Sequence, residues 1–180
     1  TDYPCSFMFV ASMNPCPSGY YREPTHRSLC TPGQIQRYMN KISGPLLDRI
    51  DIQCEISPVP FQDISKAAPG EPSAKIRERV IKAREVQAER FKDYKGIHCN
   101  AQMTERMIHQ FAEPDEQGIE LLRMAMEKLS LSARAYNRIL KVARTIADLA
   151  GSEQIKPDHI AEAVGYRTLD RGDWAERGHL

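Results

Sequence analysis

The sequence predicts a mostly α-helical fold: two strands and a helix, followed by a helical bundle. Three observations predict it. Residues 6–13 and 50–56 carry strand-like patterns, with a short helical stretch between them. Residues 57–73, "SPVPFQDISKAAPGEPS", hold four prolines and a glycine and form a linker. From residue 74 on, apolar side chains recur at helical spacing.

Each element has a local reason. "SFMFVASMN" is an apolar, strand-like run ending at a polar residue, and residues 6–13 are expected as a buried strand. Residues 14–33, "NPCPSGYYREPTHRSLCTPG", are a loop rich in Pro, Gly and Ser, long enough to suggest function. Residues 34–42 form a short helix with Ile35, Tyr38, Met39 and Ile42 on one face. Gly44-Pro45 makes a turn, and Ile50, Ile52, Cys54 and Ile56 then alternate with polar residues as a strand does.

Beyond the linker, Ser73 can cap a helix running to about Lys95, with Ile76, Val80, Val86 and Phe91 on its apolar side and Gly96 as its stop. A second helix is expected near 103–112. A third has Ile119, Leu122, Met126 and Leu129 at helical spacing. Ser130 or Ser132 starts a fourth, with a stripe of Ile139, Val142, Ile146 and Leu149 that Gly151 ends. Pro157 and Asp158 open a fifth. Residues 172–180 read as a frayed tail.

Composition narrows the class. The 180 residues suffice for one sizeable domain or two small ones, and 41% hydrophobic with 27% charged residues is ordinary for a soluble globular chain. A net charge of +1 exerts no global pull toward nucleic acid or membrane. No apolar run is long enough to span a bilayer, and the first residues lack a signal-peptide pattern. Five cysteines without framework spacing indicate a reducing, cytoplasmic setting. A buried strand needs partners on both sides, and the first third is poor in other strands. The expectation is a piece of a larger α/β domain.

Three polar residues stand out. Asn14 ends the first strand, where ligands of open α/β sheets bind, so its amide suits a phosphate or an attacking water. Arg49 precedes the second strand and Arg134 opens an apolar helix; a guanidinium forks onto phosphate oxygens. Each also has a plain structural reading. Asn14 can open a turn before Pro15, Arg49 can pair with Asp48 or Asp51 at the surface, and Arg134 can be solvated. No G-x-x-x-x-G-K-[ST] motif occurs, nor a strand ending in an acidic pair for magnesium, so this chain alone is expected not to hydrolyse a nucleotide.

"FMFVASMNPCPSGYY", "IQRYMNKISGPLLDRIDIQCEI" and "LSLSARAYNRILKVARTIADLAG" together resemble the magnesium-chelatase-like AAA+ ATPases of the ComM/YifB group. The resemblance runs from residue 5 to about 171 and implies the C-terminal portion of a longer protein, the phosphate-binding half lying upstream. The implied fold is the C-terminal part of an AAA+ α/β core (1–57), a linker (58–73) and an α-helical lid bundle (74–171), then the tail (172–180). It implies that Asn14 is sensor 1, contacting the γ-phosphate or the attacking water. Arg49, in Leu-Leu-Asp-Arg, is then the arginine finger offered to a neighbouring subunit's nucleotide. Arg134, in Ser-Ala-Arg, is sensor 2, reaching its own subunit's nucleotide. The implied cofactors are ATP and Mg2+, and the implied assembly is a hexameric ring.

The family pattern also places a zinc-like four-cysteine set in the 14–33 loop. Here Ser18 and Ser28 stand at two of those positions, leaving Cys16, His26 and Cys30, short of the four ligands of a structural zinc. The other readings are two free thiols or a disulfide formed on oxidation. His98 beside Cys99 has no second ligand pair.

Three functions remain open: a DNA motor driving branch migration in competence, an ATPase for metal insertion, and a helical protein-interaction module. Basic residues along 75–95 could track a phosphate backbone, but interleaved glutamates favour a solvated helix with i,i+4 pairs.

Overall fold

The computed structural model describes residues 7–14, 16–19, 30–56, 59, 63 and 70–167. Among these the protein is mostly α-helical. It divides into two compact units with the boundary between Ile42 and Ser43. His26, most of the 57–73 linker and the 172–180 tail lie outside the described residues.

In the first unit, helix α1 spans Pro32–Met39. Thr31 and Gln34 form a capping box: Thr31 Oγ1 accepts from the Gln34 amide, and Gln34 Oε1 from the Thr31 amide. Pro32 costs nothing at the first helical position, where the amide would have no partner anyway. Ile35 and Met39 pack with Cys16, and Tyr38 is half-buried beside them. Residues 7–14 form no strand. Phe7, Met8, Phe9 and Val10 are exposed, because no described segment lies against them to complete a ladder.

The second unit holds α2 (Gly44–Leu47), α3 (Ser73–Phe91), a 3-10 turn (Asn100–Gln102), α4 (Glu105–Phe111), α5 (Glu116–Leu129), α6 (Ala133–Leu149) and α7 (Pro157–Gly165). Asp115 and Ser132 cap α5 and α6 by accepting from Gly118 and Ala135 amides. Ser130 ends α5 in the left-handed conformation, at φ 50°. Gly118 is required by close packing: a Cβ there would lie 2.9 Å from Pro114 Cβ. The core joins Phe91 to Leu122, Ile139, Leu140, Ile155 and Ile160, and Phe91, Tyr94 and Phe111 meet edge to face.

Several expectations shift. Residues 50–56 make no strand, only one bridge between Gln53 and Arg167, because α7 rather than a second strand lies alongside. Ser73 is the first helical residue of α3 and not its cap, and α3 ends at Phe91, four residues before Lys95. Gly96 sits at φ 80° in the turn beyond. Ile76, Val80 and Val86 are exposed, whereas Ala83, Gln87 and Phe91 are buried. Only the C-terminal turns of α3 reach the core. On α6 the buried face is Ala135, Ile139, Leu140, Ala143 and Ala147, rotated from the expected stripe, so that Leu149 is exposed. The small alanines let neighbouring helices approach closely.

The rotated face also buries charge. Arg90 Nη1 and Nη2 donate to Asp148 at 2.7 and 2.6 Å, Asn100 Nδ2 donates at 2.8 Å, and Arg144 Nε at 3.0 Å. Burial pushes the Asp148 carboxyl up, but the bonds from Arg90 and Asn100 and the charges of Arg90 and Arg144 outweigh it and hold the group below the ordinary carboxylate range. Among the described residues no helix is long and apolar enough to cross a membrane.

Replacing Asp148 by Asn keeps the shape but leaves two guanidinium groups without their counter-charge. We expect a loss of about 3–5 kcal/mol, read by denaturant unfolding. Because the folded carboxyl is more acidic than an unfolded one, its stabilisation is fully present above about pH 4 and fades as pH falls through the folded value. The Asp148→Asn variant should lack that acid-dependent part.

Candidate functional site

The Leu-Leu-Asp-Arg turn is fixed by hydrogen bonds local to it. The Asp48 amide bonds Gly44 O at 2.8 Å and the Arg49 amide bonds Leu46 O at 2.9 Å, so α2 closes into a tight turn just before Arg49. Gln53 Nε2 reaches back to Leu47 O at 3.2 Å. Arg49 is exposed, and its Nη1 donates to Pro45 O at 2.7 Å. It pairs with neither Asp48 nor Asp51. Both carboxylates are turned to the helical bundle instead.

Asp48 meets the start of α6. Ser132 Oγ lies 3.4 and 3.5 Å from the two Asp48 carboxylate oxygens while it accepts from the Ala135 amide at 3.2 Å. One hydroxyl thus caps the helix and anchors the turn. Asp51 pairs with Arg138, one turn further along α6 than Arg134. At the end of α7, Arg167 is buried, donates from Nη1 to Ile50 O, and brings Nη2 to 3.8 Å from Asp48. The Gln53 amide bonds Tyr166 O at 2.8 Å. The turn carrying Arg49 is therefore seated against both α6 and α7.

Arg134 occupies the second position of α6, is exposed, and has no acidic partner among the described residues. The first turn of α6 contains no acid. A cation there faces the positive end of the helix dipole, an arrangement that an arriving anion relieves. Two guanidinium groups without a carboxylate partner among the described residues, on turns joined by the Asp48–Ser132 bond, are chemically fitted to polyphosphate oxygens.

Asn14 belongs to the first unit and is exposed, with its amide near Gly19. In the same unit Cys16 is buried, its Sγ 3.1 Å from Ser18 Oγ, and Cys30 is half-buried. His26 lies outside the described residues, and among those described no group of three His, Cys, Asp or Glu side chains could hold a metal. Arg138 and Arg167 escaped the sequence reading, and Ser132 was read only as a helix start. Asp48 and Asp51 beside Arg49 were visible, but Ser132 and Arg138 lie 84 and 87 residues away and Arg167 further still, beyond any local pattern.

Residues 70–167 match the family described as Magnesium chelatase, subunit ChlI C-terminal, and residues 1–64 match Magnesium chelatase, subunit ChlI. Competence protein ComM of Haemophilus influenzae is 43% identical over 171 residues, which is 94% of this chain and 32% of that protein. Uncharacterized protein YifB of Escherichia coli is 44% identical over 170 residues, again 94% of this chain and 32% of its own length. Uncharacterized protein Rv2897c of Mycobacterium tuberculosis is 34% identical over 165 residues, 92% of this chain and 32% of its own. The chain spans about a third of the length of these curated relatives.

Replacing Ser132 by Ala removes a helix cap and the anchor of the Asp48 turn together. We expect a stability loss of about 0.5–2 kcal/mol. Amide hydrogen exchange should quicken at Ala135 and at Asp48–Ile50. Faster exchange at Ala135 alone would show that the turn does not depend on this hydroxyl.

Proposed function

The chain belongs to the magnesium chelatase ChlI family, and from that premise we propose that it is the C-terminal part of an AAA+ ATPase that binds and hydrolyses ATP in a cytoplasmic ring assembly. One observation carries the reading. Arg49 and Arg134 stand exposed on turns joined by Asp48 and Ser132, and neither is spent on a carboxylate among the described residues.

Arg49 serves as the arginine finger, reaching the nucleotide held by a neighbouring subunit. Arg134 serves as sensor 2, reaching the nucleotide of its own subunit. Asn14 serves as sensor 1 and orients the attacking water or the γ-phosphate. ATP supplies the phosphoryl group, and magnesium neutralises charge on it; the ligands for both lie mostly in the upstream half. This chain alone is inactive. In domain terms, 1–57 completes the α/β core, 58–73 links, and 74–171 forms the lid. In ring ATPases a lid that contacts nucleotide converts turnover into domain rotation.

The work done by that rotation is on DNA, in a hexameric motor for recombination during competence. Similarity to Competence protein ComM supports this choice over metal insertion. The magnesium chelatase description speaks for the metal-insertion reading.

ATP turnover by the full-length protein, with and without single-stranded and forked DNA at one stated ionic strength, tests the proposal. Stimulation by DNA is the expected result; turnover indifferent to DNA would refute the DNA motor. Arg49→Ala should leave nucleotide binding near normal while lowering turnover by about 10³–10⁵-fold, the worth of an arginine finger. Arg134→Ala should weaken nucleotide binding or turnover in the subunit that carries it, measured by nucleotide titration of the purified variant.

A further inference from the structure

We propose that Arg167, assisted by Arg138, is a positioning residue that aims Arg49 at the neighbouring subunit's nucleotide. The inference rests on the reading of Arg49 as an arginine finger acting between subunits.

The geometry is specific to the two neighbours of Arg49 in the chain. Arg167 Nη1 donates to the carbonyl of Ile50, the residue after Arg49, and Nη2 stands 3.8 Å from the carboxylate of Asp48, the residue before it. One guanidinium thereby bonds the chain after the finger and attracts by charge the residue before it. Three residues beyond Ile50, the Gln53 amide bonds Tyr166 O at 2.8 Å, and Gln53 and Arg167 form the bridge that aligns the segments. Next to Ile50, Asp51 pairs with Arg138. The segment 48–53 is pinned at successive points, while the Arg49 side chain stays exposed.

The chemistry of Arg167 argues for direction over mere filling. Its side chain is 1% exposed. Burying a guanidinium costs several kcal/mol of hydration, and an apolar side chain of that volume would hold the same space at no such cost. What arginine adds is a directed hydrogen bond to the Ile50 carbonyl together with a charge that attracts the Asp48 carboxylate 3.8 Å away. A finger needs that definition, because misplacing a catalytic group by about 1 Å costs about 10²-fold in rate.

The test uses the full-length protein and mixed rings. Arg167→Met should keep wild-type helicity and a KM for ATP within about 2-fold, while kcat falls about 10- to 100-fold. Mixing it with subunits whose own phosphate-binding loop is disabled should restore turnover, because those subunits still offer a well-placed Arg49 to an intact nucleotide site. Arg49→Ala rings mixed in the same way should recover likewise. Wild-type kcat in folded Arg167→Met, or a loss that mixing does not restore while Arg49→Ala is restored, would overturn the positioning role. If Arg49→Ala itself is not restored, the intersubunit finger fails and this inference falls with it. Should Arg167→Met not reach wild-type helicity, Arg138→Gln decides. Its ion pair lies at the surface, and the expected loss in kcat is about 2- to 5-fold, the scale of an exposed pair, restored by the same mixing. An unchanged kcat, or a loss that mixing leaves in place, would overturn the proposal.

Discussion

A carboxylate sealed from water beneath two arginines organises the helical unit. Asp148 has no exposed side-chain surface, so its charge must be met from inside. Arg90 comes from the end of α3, Asn100 from the 3-10 turn, and Arg144 from one turn back on α6. Three segments distant in sequence converge on two oxygens. The burial of Asn100 and Gln87 beside them follows from the same demand, since Asn100 also bonds Thr145 and its amide reaches Gln87.

The constraint passes onward through Arg144. Its remaining nitrogens bond the carbonyls of Ser152 and Glu153, which shapes the loop after α6. That loop delivers Ile155 to its bridge with Pro114 and leads directly into α7. Helix α7 in turn ends just before Arg167. A continuous path of buried and partly buried hydrogen bonds and helix therefore runs from Asp148 to the backbone that carries Arg49. The unit that bears Arg134 and the segment that bears Arg49 share one scaffold.

Much of the helical unit was legible because its cues are local. Ser132 and Pro157 mark helix starts in the way their chemistry dictates, and Gly151 lies just past the end of α6. The faces were less legible. A stripe of Ile139, Val142, Ile146 and Leu149 maximises hydrophobicity on one helix, but α6 packs through alanines and accepts a buried Arg144–Asp148 pair. The i,i+4 spacing of that pair on an apolar helix was the available signal. The strands expected over 6–13 and 50–56 do not form among the described residues 7–13 and 50–56, for a tertiary reason. Alternation and β-branched content describe what a strand can do, and ladder partners decide whether it forms. Asn14, Arg49 and Arg134 were visible by residue type and motif, while Arg138 and Arg167, which seat the finger turn, were hidden by sequence distance.

The two ends of that seat differ in exposure, and this has a consequence for the solution in which the protein works. Arg138 and Asp51 are 29% and 50% exposed, so dissolved ions share their charges. At about 0.15 M ionic strength the Debye length is about 8 Å, and dense electrolyte weakens such a pair further. Arg167 is shielded from the same ions by burial. Rising electrolyte concentration thus loosens the Asp51–Arg138 pair first and leaves the bond from Arg167 to Ile50 held. The segment keeps its buried anchor while the surface pair beside it slackens, so its freedom is set in part by the ionic surroundings.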